Sequence, residues 1–473
     1  MPIDVLHSIA ANTWAVFLIV LFFGGSIFVH ELGHYLAARR RGVHVEVFSI
    51  GFGPAIFSWK GDDGTRYQVA WIPLGGYVLL PQIADLGPIE GESQVSAEQL
   101  PPVGYATKML VFVAGATFNL LFAFALACIL WVVGQPENNE TESTQIGYVS
   151  RTIDLSDGSS VPSPASQAGL RVGDVVKAID GHPIADWSDL NDTLVTGSGR
   201  DAAGNPVSVF TIERAGRELT VTVHPRLAGE EKWRRIGIQP GYELNVHSVE
   251  ANSVVAKAGL AAGDRIVSVN GLAIMNASGL GEELRLSADK PVRLGIVRGG
   301  APLEIVLPPR AAGLQEGDIE FSVGYHMTHP SPVTQIAQPL MMTLRTVWGL
   351  IDPHSDIGLS KVSGPVGIVH IFHAAVEAGL RTVLRITILI NVNLAILNLL
   401  PVPVLDGGQM FFATIARLRG RALPVNFIVA AQSVFMVLLV SMVLYISIFD
   451  VRRWSRDSRD SHAQATAPAA AKH

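Results

Sequence analysis

His30, Glu31 and His34 stand in the spacing His-Glu-x-x-His, inside an apolar run that begins at Trp14. Residues four apart share one face of a helix, so the two imidazoles project together and can reach one Zn2+ at about 2.0–2.1 Å. Glu31 lies beside that face, where a carboxylate can take a proton from a water activated there. Ionisable groups in a hydrophobic segment are costly unless paired or bound. The competing reading is a helix end whose polar residues snorkel to the headgroups.

A catalytic zinc takes a third protein ligand and keeps a fourth position open. The candidate is Asp406, in NLAILNLLPVPVLDGGQM (393–410). Pro401 and Pro403 break the helix before it, and Gly407 and Gly408 are expected to let the backbone turn after it. Irregular backbone at membrane depth is tolerated where it lines a polar cavity. Alone, Asp406 reads as a turn aspartate capping the next helix. Paired with His-Glu-x-x-His on one side of a membrane, it completes a hydrolytic site.

The elements that must position these groups are membrane spans. The chain has 473 residues, 49% of them hydrophobic and only 16% charged, with a mean hydropathy of +0.35, too apolar for an ordinary soluble domain. A net charge of -6 argues against nucleic acid as a partner. The single cysteine, Cys128, excludes an intrachain disulfide framework and a cysteine-based metal site. Four stretches reach the roughly 20 residues a bilayer requires: 14–37, 109–134, 382–403 and 425–448. The first lacks a basic leader and a small-residue cleavage site, so it reads as a retained anchor.

Arg39, Arg40 and Arg41 close the first span, and Arg417, Arg419 and Arg421 lie between the third and fourth. The positive-inside rule places both loops in the cytoplasm and the long 135–380 segment outside, although Arg452, Arg453, Arg456 and Arg459 after the fourth span also favour the inside. Spans one and three then run in the same direction. The zinc motif and LDGG meet at their cytoplasmic ends.

The segment between spans two and three holds an internal repeat. ASQAGLRVGDVVKAIDGHPI (165–184) aligns without a gap to VAKAGLAAGDRIVSVNGLAI (255–274), and at the same offset IGY (146–148) matches IGI (236–238). Each unit reads as short strands with Gly and Asp turns and a short helix. The pattern resembles tandem PDZ domains, which accept an extended peptide at a strand edge. The loops expected to bind peptide are Ile146, Gly147 and Tyr148, and Ile236, Gly237 and Ile238. The alternative is two spacers that bind no peptide.

Taken together, the chain resembles the site-2 protease family of intramembrane zinc metalloproteases, in its bacterial branch with two PDZ domains. The resemblance covers nearly the whole chain and rests on HELGH, RRGVHVEVFSIGFGP, IPLGGYV (72–78), GATFN (115–119), the repeat, SGPVGI (363–368) and NLLPVPVLDGG. It implies one Zn2+ per chain held by His30, His34 and Asp406, Glu31 as general base, and substrate contacts from Asn398 and from the Pro401 and Pro403 segment. Gln409 stands where these proteases often have His, and Val78-Leu79 follows GGY where a lysine is common. Neither is a proposed ligand, so these departures bear on substrate preference.

Residues 44–80 are apolar but broken by Gly and Pro. With the resemblance as support, they are read as a membrane-associated β-sheet whose free edge, at Gly75, Gly76 and Tyr77, pairs with an unwound substrate; the alternative is a short packing sheet that covers the active-site helix. A helical peptide bond is sterically enclosed and its carbonyl already bonded, so a substrate must become extended before attack. Asn119, behind Gly115 in the second span, is read either as an interhelical hydrogen bond near the zinc helix, allowed by the close approach that Gly115 permits, or as a water-satisfied side chain. His370 and His373 are assigned no role.

The expected architecture is a polytopic α-helical membrane protein of four transmembrane helices, with a membrane-associated β-sheet and two extracytoplasmic PDZ-like α+β domains. Its parts are 1–134, with the first two spans and the β region; 140–228 and 229–310, the PDZ-like domains; 311–381, a linker with amphipathic helices; 382–450, spans three and four; and 451–473, a disordered tail. The expected partners are the lipid bilayer, single-span membrane protein substrates and an upstream protease that makes a first cut in them, in a bacterial inner membrane. Another class remains open, a PDZ scaffold with a structural zinc. A transporter is disfavoured by the lack of an inverted repeat of spans.

Overall fold

Helix α1 (Ile3–Arg40) contains no proline, and it stops where Gly42, at φ +70°, lets the Val43 N–H reach the Ala38 carbonyl at 2.9 Å. The structure is a computed structural model that describes residues 3–83, 99–155, 158–229, 232–287, 289–309, 319–321 and 325–466. It divides into two units. The first contains Met1–Gln135, His329–Leu344 and Val362–His473, and the second Pro136–Thr328 and Arg345–Lys361.

In the first unit, α1 is followed by strands β1 (Val47–Lys60) and β2 (Arg66–Leu79) and helix α2 (Tyr105–Val133). This unit also contains the first part of helix Pro332–Ile351 and helices α3 (Pro365–Ala378), α4 (Leu380–Asn398), α5 (Asp406–Arg419) and α6 (Val425–Thr466). Four segments are long and apolar enough to cross a membrane: Val16–Arg40, Tyr105–Val133, Leu380–Asn398 and Val425–Ser455. The third ends at Asn398 rather than at 403. Val402 N–H turns back to the Leu400 carbonyl at 2.7 Å, and Pro401 and Pro403 have no N–H with which to continue a helix.

Helices α2 and α4 meet along Ala123, Leu126, Ala127 and Leu130 against Leu384, Ile388 and Val392. The alanines let the backbones approach, as between helices in lipid. Val437, Leu438 and Leu444 of α6 are exposed, as suits side chains that face acyl chains rather than water.

One sequence expectation is corrected in this unit. Residues 451–473 were expected to be disordered, but α6 continues to Thr466; elongating an existing helix avoids the cost of nucleation, and 451–466 holds no Gly or Pro. Residues 467–473 lie outside the described residues. The segment 311–381, expected to be a linker with amphipathic helices, holds helix Pro332–Ile351 and α3, and Phe372 and Ala375 of α3 are buried with Leu18 and Val383. Buried Asp450 of α6 accepts the N–H groups of Gly364 and Gly367, each at 2.9 Å, at the start of α3. Residues 311–318 and 322–324 of that segment lie outside the described residues.

The β region folds back on itself. Val47–Ile50 lies between Arg66–Val69 on one side and Gly76–Leu79 on the other, and Ala55–Lys60 pairs with Arg66–Ala70. Gly76–Leu79 therefore forms one edge. The turn is tied to α1: Tyr35 Oη donates to Asp63 at 2.9 Å, Tyr67 Oη donates at 3.0 Å, and Arg39 lies 3.2 Å from the same carboxylate. Burial raises the Asp63 pKa, but donation from Tyr35 and Tyr67 outweighs it and holds the carboxyl below its usual range. Ile56, Phe57, Trp59 and Trp71 are exposed on the outer part of the hairpin.

The second unit contains both repeats. Helices Trp187–Thr196 and Ala277–Leu286, and strands Val175–Ile179 and Arg265–Val269, stand at the 90-residue offset. So do two buried aspartates that pair with arginines standing at a shorter offset: Arg214 Nε donates to Asp174 at 2.6 Å and Arg298 Nε to Asp264 at 2.6 Å, each arginine also reaching a carbonyl, of Gly169 or Gly259. The match of IGY to IGI does not carry into the structure. Ile146 exchanges hydrogen bonds with Gly173 and Asp174, and its counterpart Val246 does so with Gly263 and Asp264.

Ile236 and Ile238 belong to the first hydrophobic core, beside Ile146, and strand Ile238–Pro240 pairs with Ile146–Val149. The second core runs from Tyr242 and Leu244 to Ile319 and Phe321. The first repeat therefore reaches about residue 240, not 228, and the second extends past 310. A three-residue match cannot tell two neighbouring strands of one sheet from the same strand in two repeats. Nor is IGY an exposed loop: Ile146 and Tyr148 are buried, and a Cβ on Gly147 would stand 2.4 Å from the Pro240 carbonyl.

Candidate active site and metal centre

The zinc motif occupies one face of α1, and α2 crosses that face at close range. A Cβ on Gly33 would lie 2.5 Å from the Ala114 carbonyl, and one on Gly115 would lie 2.4 Å from His34 Nε2 and 2.7 Å from His30 Cε1. Glycine at both positions is what lets the helices and the imidazoles share the space. His34 Nδ1–H donates to the Val111 carbonyl of α2 at 2.8 Å, which leaves Nε2 as the free nitrogen. His30 Nδ1 faces the amide of Asn119, 3.2 Å away.

Asp406 is the first residue of α5. Gly407 and Gly408 do not turn the backbone, as expected from sequence, but are helical; a Cβ on them would stand 2.3 Å from the Leu399 and Leu400 carbonyls and 2.1 Å from that of Val402. They allow the start of α5 to nest under the preceding loop. Gln409 Nε2 donates to the Pro403 carbonyl at 3.1 Å and holds that loop down.

Asp406 Oδ2 consequently lies 3.3 Å from His30 Nε2 and 3.3 Å from His34 Nε2, and the two nitrogens are 3.1 Å apart. That oxygen is buried and makes no hydrogen bond. Ligands at about 2.0–2.1 Å on a tetrahedral ion stand about 3.3–3.4 Å apart, so the three atoms fit one face of a zinc tetrahedron. Among the described residues this is the group of three His, Cys, Asp or Glu side chains with converging ligand atoms. His370 and His373 are not part of it: the His370 ring lies tilted against Trp454, centroids 5.4 Å apart, and His373 Nδ1 lies 3.6 Å from Glu377.

Glu31 is buried against the edge of the β region, where a Cβ on Gly76 would lie 2.9 Å from its Cγ. Its carboxylate makes no hydrogen bond to another described residue. Gly75 faces the Phe52 ring, and Tyr77 stacks on Phe52 and accepts from Gln68 at 3.1 Å. Asn398 Nδ2 is 3.5 Å from His30 Nε2; Pro403 is buried and Pro401 exposed. Sequence reasoning missed Gly33, the Val111 carbonyl and the Gln409 contact. A glycine inside the zinc motif is a signal for the first, whereas a backbone carbonyl leaves none.

A His-His-Asp triangle with an adjacent buried carboxylate, held by the apolar helices α1 and α2 and the start of α5, defines an intramembrane metallopeptidase. Residues 17–442 match Peptidase family M50. The chain is 31% identical over 463 residues to the Regulator of sigma E protease of Salmonella typhi, covering 91% of this chain and 98% of the relative. It is 30% identical to the Regulator of sigma-E protease RseP of Escherichia coli (strain K12), with the same coverage, and 28% identical to a Putative zinc metalloprotease of Vibrio cholerae serotype O1, covering 87% and 92%. The chain belongs to peptidase family M50, the metalloproteases of site-2 type.

Proposed function

We propose that this protease cuts a peptide bond in or near the transmembrane segment of single-span membrane proteins, after another protease has made a first cut outside the membrane. The observation that carries it is the position of Glu31 between the His-His-Asp triangle and the Gly76–Leu79 edge. Relatives named as regulators of sigma E protease support an anti-sigma factor as the substrate class, with remnant signal peptides as a further class. The bacterial inner membrane is the proposed location, with the site facing the cytoplasm and the repeat units, read as PDZ-like domains, on the outer side.

His30, His34 and Asp406 would hold the zinc, which when bound polarises the scissile carbonyl and lowers the pKa of water towards about 7. Glu31 takes the proton of the attacking water and returns it to the leaving amine. The Gly76–Leu79 edge receives the substrate as an extended strand, so its carbonyl leaves the helical hydrogen bond and becomes accessible. Asn398 and the Pro401 to Pro403 loop lie where they can hold the substrate backbone. Stripping the purified chain with a zinc chelator is expected to abolish cleavage of a tagged single-span substrate, and one equivalent of Zn2+ to restore it. Cleavage that survives complete zinc loss would refute the assignment.

The PDZ-like pair is proposed to exclude substrates that still carry bulky outer domains. Deleting residues 140–321, which removes both cores whole, is then expected to permit cleavage of untrimmed substrate; unchanged discrimination rules the filter out. Binding of a newly exposed carboxyl terminus is the competing account. Strand Ile238–Pro240, following Gly237 at φ +81°, pairs on one side with Ile146–Val149 and offers its other edge among the described residues.

A further inference from the structure

We infer that Asn119 is the positioning residue for His30, accepting the His30 Nδ1 proton with its amide oxygen and so aiming Nε2 at the zinc. The inference rests on the metal site proposed above. Val111, Gly115 and Asn119 stand at i, i+4 and i+8 on α2, one stripe facing the two imidazoles. The stripe reads acceptor, gap, acceptor. Val111 supplies a carbonyl to His34 Nδ1–H at 2.8 Å, and Gly115 gives the rings room.

His30 presents Nε2 to the same point as His34, 3.1 Å from His34 Nε2 and 3.3 Å from Asp406 Oδ2. A neutral imidazole that offers Nε2 to a metal carries its proton on Nδ1, so the group facing Nδ1 must accept. Asn119 is fully buried; its Nδ2 lies 3.2 Å from Nδ1, and its Oδ1 has no hydrogen-bond partner. The two ends of a carboxamide have nearly the same shape, and the hydrogen-bond network decides between them. A half-turn of the amide puts Oδ1 on the Nδ1 proton. Both histidines are then oriented by acceptors of α2, one from backbone and one from a side chain.

The test is Zn2+ affinity of the full-length chain, measured by competition with a chromogenic chelator, for the native protein, Asn119→Leu, Asn119→Asp and His30→Ala. Asn119→Leu keeps the volume and removes the acceptor, and is expected to weaken zinc binding about 10- to 100-fold. Asn119→Asp keeps an acceptor and is expected to stay within about threefold of native. Native affinity in Asn119→Leu, with His30→Ala unable to bind, overturns the inference while leaving the metal site standing. Equal loss in Asn119→Leu and Asn119→Asp also overturns it, because packing and not the acceptor is then responsible. Native affinity in His30→Ala refutes the metal site itself.

Discussion

Glu31→Gln is expected to retain zinc and to lose cleavage of a single-span substrate by about 10²- to 10⁴-fold, the range a positioned general base supplies. The substitution is nearly isosteric, and Glu31 is outside the His30, His34 and Asp406 triangle, so the ligand atoms stay in place. What disappears is the proton acceptor beside the Gly76–Leu79 edge. Cleavage and bound zinc must be measured on the same preparation. Equal cleavage by native and variant chains rules out Glu31 as the base. A scaffold with a structural zinc has no use for a carboxylate there, so the variant separates the two classes that the sequence left open.

Gly115→Ala is expected to be nearly as damaging, although it adds one methyl group and touches no ligand covalently. The new Cβ would need to lie 2.4 Å from His34 Nε2 and 2.7 Å from His30 Cε1, well inside van der Waals contact. Either the imidazoles swing off the triangle or α2 moves away from α1 and takes the Val111 acceptor with it. A displacement near 1 Å at reacting groups costs about 10²-fold in rate, and zinc affinity is expected to fall along with it. Gly25→Ala is the control: nothing lies within 4 Å of a Cβ there, so zinc content and cleavage should match the native chain. Native zinc affinity in Gly115→Ala would show that the two helices have more freedom than this packing allows.

These two positions differ in how visible they are without coordinates. Glu31 is legible because the chemistry of a general base and the spacing of two ligands on one helix are both local properties. Gly115 is legible as a small residue that permits close approach to the zinc helix, but not as the gap through which two imidazoles reach a third ligand. The glycines after Asp406 show the same limit. Their expected role was a flexible turn; their actual role is close approach of a helix start to the Leu399, Leu400 and Val402 carbonyls.

The repeat carries a related lesson. The 20-residue match, 165–184 with 255–274, locates equivalent helices and strands and even the Asp174 and Asp264 ion pairs, because long gapless similarity reflects a whole folding unit. The three residues IGY and IGI do not, and they led to a boundary at 228 that cuts the first core between Val223 and Ile236.

By itself the sequence determined the four apolar segments, the two-histidine face with its glutamate and the duplicated segment, since length, hydropathy and helical period act within a few residues of one another. Only the tertiary structure decided that Asp406 Oδ2 stands 3.3 Å from both imidazoles, that Val111 and Asn119 face their far nitrogens, and that Glu31 of α1 lies against a strand edge. Those contacts join residues separated by tens to hundreds of positions, and their distances are set by how closely α1, α2 and the start of α5 can approach where Gly33, Gly115, Gly407 and Gly408 lack a side chain.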